Sequence, residues 1–178
     1  MIEIRWQGRG GQGAFTASKI LGAAVAGYEG KYALAFPSFG PERRGAPIQA
    51  FTKIDDKPVT NRTEIKDCDY IVFLDETLFD RSVLKDLKEE GKVLVNSSNP
   101  TKYNQYSQVI TLDATKMARE IMGAPITNTA MLGALLGISK LSKLSSVESI
   151  IQDYLSEKVI EKNKSIMEQA YQMVKEIL

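Results

Sequence analysis

Met1-Ile-Glu-Ile-Arg-Trp-Gln-Gly8-Arg9-Gly10-Gly11-Gln12-Gly13 opens the chain, and Ala14-Phe-Thr-Ala-Ser-Lys-Ile-Leu-Gly-Ala-Ala-Val-Ala26 follows it. Ile2, Ile4 and Trp6 alternate with Glu3 and Arg5, the pattern of a strand with one buried face. Four glycines in six residues then give way to a run of small residues that reads as a helix. Strand, glycine turn and helix place backbone N–H groups and a helix N-terminus against an anion, usually a phosphate. Gly8, Gly10 and Gly13 fit G-x-G-x-x-G. Gly10 is expected to need a positive φ, so that valine there costs about 1–3 kcal/mol in strain. The plain structural alternative is that the glycines only permit a tight turn and close helix–sheet packing.

The dinucleotide version of this motif wants an acid about 20 residues further on, to hold ribose hydroxyls. Here the second apolar run, Tyr32–Phe36, ends without one. Nicotinamide and flavin dinucleotides are therefore disfavoured, while a phosphate site survives.

The next stretch is Pro37-Ser-Phe-Gly-Pro-Glu-Arg-Arg-Gly-Ala-Pro47. Two glycines and three prolines in eleven residues make it a stiff, shaped loop. Phe39, Glu42, Arg43 and Arg44 at its middle suit an anionic ligand or a partner's acidic surface, unless Glu42 merely pairs with an arginine. Ile48–Ile54 alternates as a strand, and Asp55-Asp56-Lys57 is expected to turn it into a hairpin with Pro58-Val-Thr60. So close in sequence to its predecessor, the Ile48–Ile54 strand is expected to be antiparallel and the sheet mixed.

Further along the pattern becomes strand–helix–strand. Asp69–Leu74 is a buried strand ending in Asp75-Glu76, which could cap a helix or touch a ligand. Leu78–Glu90 reads as an amphipathic helix, with Phe79, Val83, Leu84 and Leu87 on one side and Gly91 as its left-handed terminus. Val93–Val95 and Gln108–Leu112 are strands, and Asn96-Ser-Ser-Asn-Pro100 puts polar groups where an open α/β sheet presents its crevice. Asp113 caps the helix to Met122. Asn128–Ile138 is a small apolar helix whose Gly133 and Gly137 permit close contact, inside the domain or between subunits. From Ser146 onward, Val147/Ile150/Ile151/Tyr154/Leu155 and Ile166/Ala170/Met173/Val174/Ile177 read as core-facing stripes. The expected fold is a Rossmann-like three-layer α/β domain over residues 1–178: an open twisted sheet, mostly parallel with an antiparallel hairpin, helices on both faces and a helical C-terminus.

Composition narrows the chemistry. A formal net charge of +1 offers no field for nucleic acid or membrane. Without an apolar run of about 18 residues the chain is expected to be cytoplasmic. Histidine is absent from the sequence, which removes the commonest general base and zinc ligand. Cys68 is the one cysteine, so no iron–sulfur cluster can be held here on cysteines. It reads as a half-buried residue whose neighbouring carboxylates raise its pKa. Catalysis, if any, is expected to rest with partners.

Gly8–Gly13, the Ala35–Pro47 stretch and Asn128-Thr-Ala-Met-Leu-Gly-Ala-Leu135 together resemble the gamma subunit of 2-oxoacid:ferredoxin oxidoreductases, over essentially the whole chain. The likeness is greatest to the pyruvate-acting members: those for 2-oxoglutarate carry Ser-Arg-Gly-Gly where this chain has Arg43-Arg44-Gly45-Ala46. Pro41 and Ser38 depart from the aliphatic and aromatic residues of the family pattern, which leaves a branched 2-oxoacid such as 2-oxoisovalerate open beside pyruvate; a 2-oxoglutarate-specific relative is the remaining alternative. The resemblance implies a cytoplasmic complex in which alpha, beta and delta subunits hold thiamine diphosphate, magnesium and [4Fe–4S] clusters. A 2-oxoacid is oxidatively decarboxylated there, its acyl group passing to coenzyme A and electrons to ferredoxin. This subunit is implied to bind coenzyme A and to close the thiamine site, with no catalytic residue or metal ligand of its own. The binding set so implied is Gly8, Arg9, Gly10, Gly11, Gln12 and Gly13, then Ser38, Phe39, Gly40, Glu42, Arg43 and Arg44, with Asn128. The competing readings are a free-standing nucleotide-binding module and an α/β interaction protein whose glycines serve packing alone.

Overall fold

β1 runs Ile2–Arg9 and carries Gly8 and Arg9 inside the strand, because these pair with Ile48 and Pro47 of β3. The structure is a computed structural model that describes residues 1–38 and 44–177. After β1 come α1 (Ala14–Tyr28), β2 (Tyr32–Pro37), β3 (Pro47–Asp55), β4 (Cys68–Phe73), β5 (Leu87–Asn96) and β6 (Val109–Leu112). The rest is helical: α2 (Ala114–Met122), α3 (Asn128–Ser139), α4 (Leu144–Ile150) and α5 (Glu157–Ile177).

The six strands form one sheet in the order β2-β3-β1-β4-β5-β6. The pairs β1–β4, β4–β5 and β5–β6 are parallel, and β3 runs against both β1 and β2. The result is the mixed, mostly parallel α/β sheet that the sequence led us to expect. From β1 the chain leads through α1 toward β2, whereas β4 leads the other way toward β5. The two strands are neighbours, so their carboxyl ends flank the switch point where an open sheet presents its crevice.

Period-two alternation splits the sheet into two cores. Ile4, Trp6, Ala50, Val72 and Leu94 face the side covered by α1 to α5. Phe51, Ile71, Phe73, Val93 and Val95 face the other, which is covered by short 3-10 turns and by Ile65. Trp6 Nε1 donates to Thr52 Oγ1 at 3.1 Å, satisfying the one polar atom of the largest core side chain.

Four expectations are corrected. Residues 78–90 are not an α-helix but 3-10 turns, Glu76–Leu78 and Arg81–Asp86, that run into β5. Asp75 and Asp80 accept from the amides of Thr77 and Ser82, and each starts a separate turn. Gly91 lies within β5 and is no helix terminus. A Cβ there would stand 2.9 Å from the Cys68 carbonyl, where the register passes from Cys68↔Leu87 to Tyr70↔Lys92. Pro58–Thr60 forms no strand: the chain stays irregular from there until β4. Met173 and Ile177 are 45% and 59% exposed, while Ile166, Ala170 and Val174 are buried. Met173 and Ile177 border a groove beside β6, while Val174 of the same turns packs against Gly137 of α3.

α3 is apolar on every side and buried along most of its length. Its Gly133 and Gly137 lie against the backbone of α5 at Met167 and Tyr171, so the small-residue face serves contact within the chain. Among the described residues, no helix is long and apolar enough to cross a membrane.

Candidate functional site

The turn between β1 and α1 closes on itself. Gln12 N donates to the Arg9 carbonyl at 2.9 Å, and Arg9 N donates to Gln12 Oε1 at 2.7 Å. Left-handed backbone falls at Gly11 (φ 94°) and Gly13 (φ 82°). This corrects the expectation for Gly10, which instead makes a bridge to Arg44. Gly8 is glycine for a different reason: a Cβ would lie 3.2 Å from Gln12 Oε1 and 3.3 Å from Leu74 Cδ1.

Gly13 is also the N-cap of α1, and among the described residues no side chain caps that helix and no acid sits in its first turn. The same holds for α3, whose first residue, Asn128, lies against Gly13. Asn128 Nδ2 donates to the Gly13 carbonyl at 3.5 Å, while its Oδ1, buried in a residue only 5% exposed, has no partner among the described residues. Two uncapped helix N-termini thus converge here, each with the positive end of its dipole at the junction.

The stiff loop is fastened to this turn at its end. Gly10 N donates to the Ala46 carbonyl at 2.9 Å and Gly45 N to the Gly10 carbonyl at 3.0 Å. Arg44 is exposed, and its Cγ would lie 3.9 Å from a Cβ on Gly11. Among the described residues it has no acidic partner. Ser38 sits at the other end of the loop, its N donating to the Gln49 carbonyl at 2.9 Å. Phe39, Gly40, Glu42 and Arg43 lie outside the described residues.

Arg9 is more constrained than its sequence suggests. Its Nε donates to Asp75 Oδ2 at 2.8 Å, Nη2 to Thr77 Oγ1 at 2.8 Å and Nη1 to the Gly45 carbonyl at 3.1 Å. Burial pushes the Asp75 carboxyl up, but donation from the Thr77 hydroxyl and amide, and then from Arg9, leaves it below its usual range. Asp75 therefore both caps a turn and holds an arginine.

Beyond Asp75, a cavity of about 780 Å³ opens at the carboxyl ends of β4 and β5, walled by Gln12, Asn96, Thr115 and Thr127. Lys116 and Arg119 of α2 stand exposed on its rim. Sequence reasoning missed both. The signal was available: Asp113 caps α2 by accepting from Lys116 N at 2.8 Å, and positions three apart share a helix face. Asn96 is structural, with Nδ2 donating to the Leu74 carbonyl and Oδ1 accepting from Thr115 N.

Cys68 lies away from this site. It is fully buried rather than half-buried, and burial pushes its pKa up to about 11. A hydrogen bond from Arg5 Nη2 at 3.2 Å pulls the other way. The carboxylates that add to the rise are Asp86 and Glu3, not the sequence neighbours. Alkylation of the native chain by iodoacetamide at pH 8 is expected to run about a hundredfold slower than in denaturant, since only thiolate reacts. Equal rates in the two states would contradict the buried placement.

A mostly parallel sheet with a glycine turn, two open helix N-termini and a strand-end cavity defines an α/β domain with its ligand crevice at the switch point. Residues 3–173 match the pyruvate ferredoxin/flavodoxin oxidoreductase family. The chain is 46% identical over 172 residues to the pyruvate synthase subunit PorC of Methanocaldococcus jannaschii, covering 96% of each. It is 46% identical over 179 residues to the pyruvate/ketoisovalerate oxidoreductases common subunit gamma of Pyrococcus furiosus, covering 97% of this chain and 96% of that one. The crystal structure of the pyruvate oxidoreductase subunit PORC of Thermotoga maritima matches with a TM-score of 0.82 at 35% identity, covering 96% of this chain and 95% of that one. The chain belongs to the pyruvate ferredoxin/flavodoxin oxidoreductase family, as a subunit of the gamma type.

Proposed function

We propose that this gamma subunit serves a pyruvate:ferredoxin oxidoreductase, in which pyruvate, coenzyme A and oxidised ferredoxin become acetyl-coenzyme A, carbon dioxide and reduced ferredoxin. Its own part is to bind the anionic end of coenzyme A and to close the thiamine diphosphate site from outside. Thiamine diphosphate, with magnesium, supplies the decarboxylation chemistry and [4Fe–4S] clusters carry the electrons. These groups belong to alpha, beta and delta partners; with one cysteine this chain has no cysteine set for a [4Fe–4S] cluster.

The observation that carries the coenzyme A reading is the open N-terminus of α1 at Gly13, with Arg44, which has no acidic partner among the described residues, beside the same turn. Backbone N–H groups at such a helix start bind phosphate, and the dipole favours the charge. Arg44 adds a charge-assisted bond, with Arg43 proposed as its companion. Asn128 supplies a helix-terminal amide. The name of the Pyrococcus furiosus relative favours a second arrangement, in which one gamma subunit serves both pyruvate and 2-oxoisovalerate enzymes. In that case the choice of 2-oxoacid rests with the partners.

In the assembled complex, Arg44→Ala is expected to raise the KM for coenzyme A about tenfold, equivalent to about 1.4 kcal/mol, while thiamine diphosphate binding is spared. A KM unchanged by the substitution would place Arg44 at a subunit contact and reject the coenzyme A role given to it.

A further inference from the structure

We propose that Arg9 is a positioning residue: it clamps the Arg44–Ala46 segment onto the glycine turn and does not itself touch the ligand. The inference rests on the coenzyme A reading but assigns Arg9 a different task from the one the motif implies. An arginine in a glycine-rich phosphate turn would ordinarily be read as an anion contact. Here each guanidinium nitrogen is committed to a different part of the chain: Asp75 at the end of β4, Thr77 in the turn after it, and the Gly45 carbonyl. The Asp75 carboxylate at 2.8 Å offsets the charge that would otherwise draw a phosphate.

The main chain works in the same direction. Arg9 N and O both bond to Gln12, so the residue cannot swing without opening the turn. Gly10, next in sequence, exchanges its two backbone bonds with Gly45 and Ala46. Side chain and neighbouring backbone therefore grip one short segment from two sides. That segment begins with Arg44, the cation left without an acidic partner among the described residues, and its stem passes beside Gly11. A planar fork with three directed donors is needed to reach three acceptors at once. The single ammonium of lysine cannot do so. Because Asp75 and Thr77 also wall the strand-end cavity, the same clamp ties that wall to the Arg44 segment.

The test uses Asp75→Asn and Arg9→Lys, which keep the shape of each side chain's stem, in the full chain and in the assembled complex. Two quantities are read: hydrogen exchange at the Gly10 and Gly45 amides, and the KM and kcat for coenzyme A turnover. The expected result is exchange at both amides at least tenfold faster in either variant. KM is expected to rise at least fivefold while kcat moves less than twofold. Back-substitution in the pair Arg9→Lys with Asp75→Glu, which shortens the gap to the ammonium, is expected to restore part of the protection. A raised KM with full protection at Gly10 and Gly45 would overturn the proposal, because Arg9 would then act on the ligand directly. Full protection with an unchanged KM would overturn it too. Lost protection with an unchanged KM would uphold the clamp and reject the coenzyme A reading instead.

Discussion

Gly133→Val is expected to be the most damaging single substitution away from the glycine turn, lowering stability by about 3 kcal/mol or more through overpacking. A Cβ at Gly133 would run into the Met167 carbonyl of α5, which is backbone and cannot rotate aside. Gly137 meets Tyr171 and Val174 in the same way one turn later, so the two helices would have to move apart along their length. Their separation would also expose Ile166, Met167, Ala170 and Val174 on α5, all of them buried. Gly27→Ala is the matched comparison. It lies in α1 with nothing within 4 Å of an added Cβ, and is expected to be neutral or stabilising, by about 0.5–1 kcal/mol. Urea unfolding of the isolated chain measures both. A Gly133→Val variant within about 0.5 kcal/mol of the parent would mean that α3 and α5 do not meet as described.

Gly13→Ala carries the second large effect, and it should fall on the site as well as on stability. At φ 82° a side chain costs about 1–2 kcal/mol in backbone strain. Its Cβ would also stand 2.5 Å from Asn128 Nδ2, so the Asn128 side chain has to turn out of its place at the junction of α1 and α3 and gives up its bond to the Gly13 carbonyl. Gly11→Ala separates these two causes. It has φ 94°, but its added Cβ would find only Arg44 Cγ at 3.9 Å, so it carries the strain without the collision. In the complex, Gly13→Ala is expected to raise the KM for coenzyme A at least tenfold more than Gly11→Ala does, a further 1.4 kcal/mol or so. Equal KM values for the two variants would show that the α1–α3 junction is not part of the binding site.

The difference between these two glycines shows where sequence reasoning stops. Both stand in the same run of glycines, and local pattern does not say which of them takes the unusual backbone. The expectation fell on Gly10, whose bridge to Arg44 is visible only once the two segments are brought together. The region 76–90 failed for a related reason. Apolar residues three and four apart satisfy a 3-10 turn as well as an α-helix, and here Asp75 and Asp80 each start a short turn of their own with extended Phe79 between them. Met173 and Ile177 fit the helical stripe by spacing, but a stripe does not record where its neighbouring helix ends.

What the sequence alone determined is the part governed by short-range physics. Alternation along β1, the small residues of α1, the Asp113 cap, the close-packing glycines of α3 and the three motifs of the family were legible because each depends on neighbours within a turn or a strand. Tertiary structure alone decided the site's working parts. Arg9 meets Gly45, Asp75 and Thr77 at sequence separations of 36, 66 and 68, and Asn128 meets Gly13 at 115. Contacts at those distances follow from strand order. The parallel pairing of β1 with β4 sets Asp75 beside Arg9, and no local pattern encodes which strands become neighbours.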